Sequence, residues 1–297
     1  MHVTTLLTNP AAPGLDPALV DSLRNAWGGG AVSWLAPDEA AEFSIPDLPE
    51  NRWQVWEELQ QAGVDMVIQP AVGRQKKLLL ADMDSTMIGQ ECIDELAAEA
   101  GVRDRVAEIT ARAMNGELDF EAALQARVSL LQGLNYAVIE KVLNERITLT
   151  PGGRTLVATM KAHGARCVLV SGGFVDFTRR VAADLGFDEH RANALCVENG
   201  KLTGEVQKPI LGREAKVRAL HELVDRLDIV PAQVIAVGDG ANDLGMLSVA
   251  GTGVALHAKP SVAEKCDIRI NHGDLTALLY LQGYDRDAFV CAGQALT

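Results

Sequence analysis

Leu78-Leu79-Leu80-Ala81-Asp82-Met83-Asp84-Ser85-Thr86 is an apolar run that ends abruptly in two carboxylates, two residues apart. Preceded by the polar segment Arg74-Gln75-Lys76-Lys77, it predicts a buried strand that delivers acid groups to the edge of a sheet. Two carboxylates converging at a strand end raise each other's pKa unless a cation sits between them. The pair therefore points to a metal site, to proton chemistry, or to both; a strand that merely ends in an Asp-rich turn is the plain alternative.

Two more apolar runs end in polar residues. Cys167-Val168-Leu169-Val170 leads into Ser171-Gly172-Gly173 and a predicted helix from Phe174 to Leu185. A strand, small residues and a helix start would aim backbone N–H groups and a helix dipole at an anion. Val234-Ile235-Ala236-Val237 leads into Gly238-Asp239-Gly240-Ala241-Asn242-Asp243. Shorter strands are expected at Gly253 to Leu256 and Ile268 to Ile270, and short helices at Ser261 to Lys265 and Leu275 to Leu281. Residues 193–206 read as a hairpin turning at Glu198-Asn199-Gly200-Lys201, and a helix from Arg213 to Leu227 carries Lys216 near its start. Alternating strands and helices predict an α/β fold, a doubly wound parallel sheet with a Rossmann-like core whose ligands bind beyond the carboxyl ends of the strands. Asp82, Asp84, Ser171, Asp239 and Asp243 would then meet in one crevice.

Between the first two of these strands the pattern is helical: Glu91 to Ala100, Arg103 to Met114, Asp119 to Leu131 and Tyr136 to Asn144, broken at Asn115-Gly116 and Gln132-Gly133. That is too much helix for a simple crossover, so an inserted helical cap is expected at about residues 88–148. A further helix opens at Thr150-Pro151-Gly152 and runs to His163. Residues 1–70 read βαββαβ, with strands at His2 to Thr8, Ala31 to Leu35, Glu42 to Ile45 and Val64 to Gln69 and helices at Asp16 to Trp27 and Asn51 to Ala62. This is the order of a small ferredoxin-like α+β module. Domains are thus expected at 1–72 and 75–297, with Arg74 to Lys77 as a polar linker.

Composition narrows the function classes. The chain has 297 residues and a net charge of -13, with no basic stripe of the kind nucleic acid requires. Residues 1–70 carry two basic and ten acidic groups, which sets them apart from the rest. All four tryptophans (Trp27, Trp34, Trp53, Trp56) lie there, as core packing or as a dimer or ligand face. The five cysteines are scattered, including Cys291, and read as reduced thiols of a cytoplasmic protein. No run approaches the length of a membrane span, so no membrane partner is expected. Cys92, His257 and His272 have no partner motif that gives them a chemical role.

Asp82-Met83-Asp84-Ser85-Thr86, Ser171, Lys216 and Gly238 to Asp243, in that order, resemble the four motifs of the haloacid dehalogenase superfamily. Within it the chain is similar to the phosphoserine phosphatases over about residues 75–285. The likeness extends to Glu91, to Arg127-Val128-Ser129-Leu130-Leu131, to Ser171-Gly172-Gly173-Phe174 and to Glu198 to Gly204. The resemblance implies Mg²⁺-dependent hydrolysis of O-phospho-L-serine through an aspartyl-phosphate, the last step of serine biosynthesis. It makes Asp82 the nucleophile and Asp84 the general acid and base. Mg²⁺ would sit on the carboxylates of Asp82 and Asp239 and the carbonyl of Asp84, with Asp243 behind them. Lys216 would oppose the phosphate charge, and Ser171, Gly172 and Asn242 would donate to its oxygens. Glu91 would meet the substrate ammonium and Arg127 its carboxylate.

Met114 and Phe120 match an apolar lid, with helix-bundle core as the alternative. Another small amino-acid phosphate is the alternative substrate. The P-type ATPase reading fails because those pumps have Thr at the position of Asp84, and dehalogenation fails because it uses neither that Asp nor the metal. The amino-terminal module resembles ACT-like regulatory domains by element order alone, which implies a homodimer through it or serine feedback.

Overall fold

The computed structural model describes residues 1–114 and 117–290; the expected break at Asn115-Gly116, the Met114 side chain and Cys291 lie outside that description. The chain begins with β1 (His2–Leu7), α1 (Pro17–Ala26), β2 (Ser33–Ala36), β3 (Ala40–Ile45), α2 (Arg52–Gln61) and β4 (Asp65–Pro70). Then come β5 (Leu78–Ala81) and four helices, α3 (Cys92–Glu99), α4 (Arg103–Met114), α5 (Phe120–Ser129) and α6 (Val138–Glu145). Next are α7 (Gly153–Ala162), β6 (Arg166–Phe174), α8 (Val175–Leu185), β7 (Glu189–Asn193), β8 (Leu195–Glu198) and β9 (Lys201–Val206). The last part holds α9 (Arg213–Arg226), β10 (Val234–Gly238), α10 (Leu244–Val249), β11 (Thr252–Leu256), α11 (Pro260–Ala263), β12 (Ile268–Ile270) and α12 (Ala277–Leu281).

The first four strands form an antiparallel sheet of order β2-β3-β1-β4, the ferredoxin-like arrangement. α1 starts where the Asp16 carboxylate accepts the Ala18 N–H at 2.8 Å, with Pro17 in the first turn. Side chains alternate across the sheet. Leu6, Phe43, Ile45 and Met66 pack under the two helices, whereas Leu7, Ala40 and Val67 on the other face join the core of the rest of the chain.

That larger core surrounds a wholly parallel sheet of order β12-β11-β10-β5-β6-β7. β5 is central and its four residues are fully buried, which is why it reads as an unbroken apolar run. β7, Glu189-His190-Arg191-Ala192-Asn193, was not legible as a strand. It is an edge with one partner, and edges tolerate polar sequence. β6 extends through Ser171-Gly172-Gly173 to Phe174, its pairing with β7 interrupted between Val170 and Phe174. The small residues thus bulge from a strand end rather than opening the helix, which begins only at Val175.

Helices α3–α6 lie between β5 and α7, joined to the core where Gly89 N–H meets Thr148 O (3.0 Å) and Thr150 N–H meets Met87 O (3.0 Å). The hairpin β8–β9 belongs with them spatially. Gly133 N–H donates to Leu202 O (2.8 Å), Leu202 N–H to Leu134 O (2.9 Å) and Tyr136 N–H to Gly200 O (2.9 Å). Nothing in the hairpin's sequence announces that contact.

Arg74, expected in a polar linker, is instead clamped. Its guanidinium grips Glu42 (3.1 and 2.6 Å) and donates to the carbonyls of Tyr280 (3.0 Å) and Leu281 (2.9 Å). Two of the tryptophans have a related use: Arg269 of β12 lies over the rings of Trp53 (4.6 Å) and Trp56 (5.1 Å) on α2, a cation–π contact between the parallel sheet and the amino-terminal module. Trp34, on β2, is 38% exposed. No helix among the described residues is long and apolar enough to cross a membrane.

Candidate active site

The carboxyl ends of β5, β6 and β10 place Asp82, Asp84, Ser171, Asp239, Asn242 and Asp243 together, as expected of a doubly wound sheet. Asp82, Asp239 and Asp243 are buried and can each offer one oxygen within 4.8 Å of the others. Lys216, 2% exposed and carried on the first turn of α9, reaches in from the side; its Nζ lies 2.5 Å from Asp82 Oδ1 and 2.6 Å from Asp243 Oδ1. Burial works to lower the pKa of this ammonium, but Asp243 and Asp82 outweigh it and hold it above its ordinary value. Three ionised carboxylates against one ammonium leave a charge of about -2. An all-oxygen donor set with that deficit fits one hard divalent cation.

Burial first, then the charge of Asp243, pushes the Asp82 carboxyl well above its ordinary range against the pull of Lys216. Burial and Asp243 likewise raise Asp239 to about 6, and Thr86 Oγ1 donates to its Oδ1 at 3.2 Å. Asp84 rises to about 6 through burial and the nearby Glu91. Its Oδ1 accepts the Cys92 N–H (2.9 Å) and its Oδ2 the Ser171 hydroxyl (3.2 Å). Gly173 makes that approach feasible, since a Cβ there would stand 2.6 Å from Asp84 Oδ2. The turn after Asp84 also carries a non-glycine residue in the left-handed region, Ser85 with φ 56°, an arrangement retained where surrounding contacts over-determine it. Here the contact is Ser85 Oγ–H to Glu91 Oε1 at 2.9 Å.

A metal-dependent stability follows from these shifts. Asp84 and Asp239 have folded pKa values above their unfolded ones, so the metal-free fold binds extra protons between about pH 4 and pH 6. Their contribution to stability is present below that window and is lost as pH rises through about 6. A divalent cation bound at the carboxylate cluster would replace the proton on Asp239 and, by its charge, disfavour the one on Asp84. The gap in Tm between protein in excess metal and protein in EDTA should be widest at pH 7 and above and narrow toward pH 5. A gap that does not change with pH would contradict this account.

A cavity of about 670 Å³ opens over the carboxylates between the parallel sheet and α3–α5. Glu91, Arg127 and Phe120 line it from the helices, and Gly172 and Asn242 from the strand ends. Arg127 Nε donates to Ala123 O (3.2 Å); burial lowers its pKa, while Glu91, Asp94 and Asp84 act to raise it. Among the described residues no carboxylate forms an ion pair with Arg127. The ring of Phe120 covers Gly172 and Gly212, where a Cβ would come within 3.0 and 2.9 Å of it. Sequence reasoning missed Asp94, Arg213 and Lys259, which also line the cavity. They sit outside any motif, and only the folding of α3, α9 and the β11–α11 loop brings them in. His257 serves structure, its Nε2 2.8 Å from Gly273 O.

Residues 79–248 match the family model of the haloacid dehalogenase-like hydrolases. A phosphoserine phosphatase from Streptomyces coelicolor is 43% identical over 256 residues, 84% of this chain and 62% of that protein. The chain therefore spans somewhat under two thirds of that relative's length. Over 95% of its length it superposes on a had family hydrolase, t0658, from Salmonella enterica subsp. enterica serovar Typhi, covering 98% of that chain at 32% identity and a TM-score of 0.84. A structure described as a phospho-aspartyl intermediate analogue of phosphoserine phosphatase is 43% identical with a TM-score of 0.65, covering 69% of this chain and 98% of that one. The chain belongs to the haloacid dehalogenase-like hydrolases and, within them, to the phosphoserine phosphatases.

Proposed function

We propose that the chain hydrolyses O-phospho-L-serine to L-serine and inorganic phosphate. The observation that carries this is Arg127: a half-buried guanidinium without an ion-pair partner among the described residues, facing the cavity above Asp82 and Asp84. A planar fork of that kind is suited to gripping a carboxylate through two parallel bonds. Glu91, held by the Ser85 hydroxyl on the same wall, supplies the opposite charge for an ammonium. A phosphomonoester that also carries a carboxylate and an ammonium matches the three sets of charges.

Asp82 Oδ attacks phosphorus while the seryl oxygen leaves with a proton from Asp84; the likeness to the phospho-aspartyl analogue structure supports this assignment. Water then attacks the aspartyl-phosphate, Asp84 accepts its proton, and phosphate departs with Asp82 restored. A carboxyl whose pKa stands at about 6 can hold and release that proton near neutral pH. Lys216 opposes the phosphoryl charge, and Ser171, Gly172 and Asn242 add donors around it. Phe120 excludes water from the far side of the cavity. Mg²⁺, held by Asp82 and Asp239 and the Asp84 carbonyl with Asp243 behind, would supply charge neutralisation at the phosphoryl oxygens.

The substrate assignment is tested by kcat/KM across phosphoserine, phosphothreonine, phosphohomoserine and p-nitrophenyl phosphate. Phosphoserine should lead. Arg127→Ala should lower phosphoserine kcat/KM by roughly 10²–10³-fold, the scale of a lost charge-assisted pair, and change p-nitrophenyl phosphate turnover less than about threefold. Equal losses on both would remove Arg127 from the substrate carboxylate.

The chemistry suits the cytoplasm, where Cys92, Cys167, Cys196 and Cys266 would remain the free thiols they are here. The amino-terminal module is the candidate for dimerisation or serine feedback. In support, β2 is a sheet edge with Trp34 exposed on it. Light scattering on the full chain, with and without L-serine, decides between that role and a purely structural one.

A further inference from the structure

Asn193 ends β7, away from every motif that carries chemistry, yet it is 2% exposed and both polar atoms of its amide are hydrogen-bonded. Its Nδ2 donates to Gly172 O at 2.8 Å and to Leu211 O at 3.2 Å, and its Oδ1 accepts the Leu211 N–H at 2.6 Å. One side chain therefore ties the bulged end of β6 to the residue just before Gly212, the cap of α9, whose first turn carries Lys216.

The geometry points to Asn193 as a positioning residue for phosphoryl transfer, acting through the Gly172–Gly173 peptide and the start of α9. The peptide is planar, so fixing its carbonyl fixes the direction of its N–H on the opposite side. That N–H, on Gly173, donates to Ser171 Oγ at 2.8 Å, and Ser171 Oγ donates to Asp84 Oδ2 at 3.2 Å. The chain of bonds runs from Asn193 to the acid–base carboxylate with no break. At its other end the amide sets where α9 begins, and hence where Lys216 reaches Asp82 and Asp243. Phe120 lies against Gly172 and Gly212, the residues on either side of this cross-link, so the seat for the cap is set by the same amide.

A buried amide is retained at a cost unless every polar atom is satisfied, and here every one is. Removing it leaves the part-buried Gly172 O and both backbone groups of Leu211 without this partner, free to reorient toward others. Donors aimed at a developing charge act through their fixed direction, so small rotations of the Gly172–Gly173 peptide weaken the site before they unfold it.

The test rests on the phosphatase reading only in using phosphomonoesters, and it does not depend on phosphoserine being the substrate. Asn193→Ala, read with both phosphoserine and p-nitrophenyl phosphate, should lose roughly 10–10²-fold in kcat on each, as for the loss of one aimed donor. The inhibition constant of orthovanadate, which mimics the five-coordinate phosphorus, should rise about tenfold or more. Asn193→Asp keeps the size and the acceptor for Leu211 N–H but sets an oxygen against Gly172 O, and should be at least as slow. A selective loss on phosphoserine would overturn the assignment, because it would place Asn193 with Arg127. So would a folded Asn193→Ala whose kcat and vanadate inhibition stay within twofold of the parent, whatever its Tm. Should Asn193→Ala fail to fold, Asn193→Ser, a shorter donor, is read by the same two numbers with the same outcomes.

Discussion

Asp82→Asn is expected to abolish turnover, by roughly 10⁴–10⁶-fold, the scale on which removing a nucleophile acts. The amide is nearly isosteric but cannot attack phosphorus and leave a hydrolysable acyl-phosphate. The variant should keep its fold. Asp243 still holds Lys216 at 2.6 Å, so the buried ammonium is not stranded, and the substitution removes one of the buried carboxylates that raise one another's pKa. Acid-quenched enzyme should then carry no hydroxylamine-sensitive phosphate label. Persistent labelling with labelled substrate would move the nucleophile to another carboxylate of the site.

Asp65→Ala is expected to cost the most stability of any single substitution outside the active site. Asp65, at the start of β4, is fully buried, and its carboxylate accepts three successive backbone N–H groups from Asn271 (2.9 Å), His272 (2.9 Å) and Gly273 (2.8 Å) after β12. These are charge-assisted bonds in the interior, and removing their acceptor leaves three orphaned donors at ~1–3 kcal/mol each, not fully additive. A loss of about 3–5 kcal/mol and a fall in Tm of roughly 10 °C should follow in calorimetry. Asp65→Asn, which keeps one acceptor oxygen, should lose about half as much. A shift under about 2 °C for Asp65→Ala would show that the two sheets are held by the apolar contacts alone.

The same interface bears on how the amino-terminal module can be studied. Gln69 donates to Leu281 O at 2.6 Å, Tyr280 to Glu39 at 2.7 Å, and Arg286 also pairs with Glu39. Cutting the chain at residue 75 would uncover Tyr280, Leu281 and their neighbours, an apolar surface built to be covered. The regulatory reading is therefore better pursued on the full chain.

Much of the candidate site was legible because its residues are tied to strand ends. In β5 and β10, the apolar run and the acids that follow it are adjacent in sequence, and a parallel sheet sends every such end to the same side. Ser171 followed from the same alternation, whereas Lys216, on a helix, was placed only by the family resemblance. Asp94, Arg213, Lys259 and Asn193 were illegible for the converse reason: each lies in sequence that looks like a solvated helix, a loop or an edge. Their surroundings are supplied by residues remote in the chain, such as Gly172 and Leu211 for Asn193. Arg74 shows the same failure in reverse, since a charge run looks solvated until Glu42 and two carbonyls close around it.

Local pattern determined which residues form the apolar strands, though not the polar edge β7, where the acids follow them and that helices interrupt the core after β5, because burial and backbone periodicity act over a few residues. The partners of those elements were decided only in three dimensions. The free face of the amino-terminal sheet closes on the core of the parallel sheet, the β8–β9 hairpin joins the helical insert, and one amide of β7 ties the end of β6 to the segment before α9. These contacts depend on strand order and on side-chain fit between segments distant along the chain, for which a single sequence carries no periodic signal.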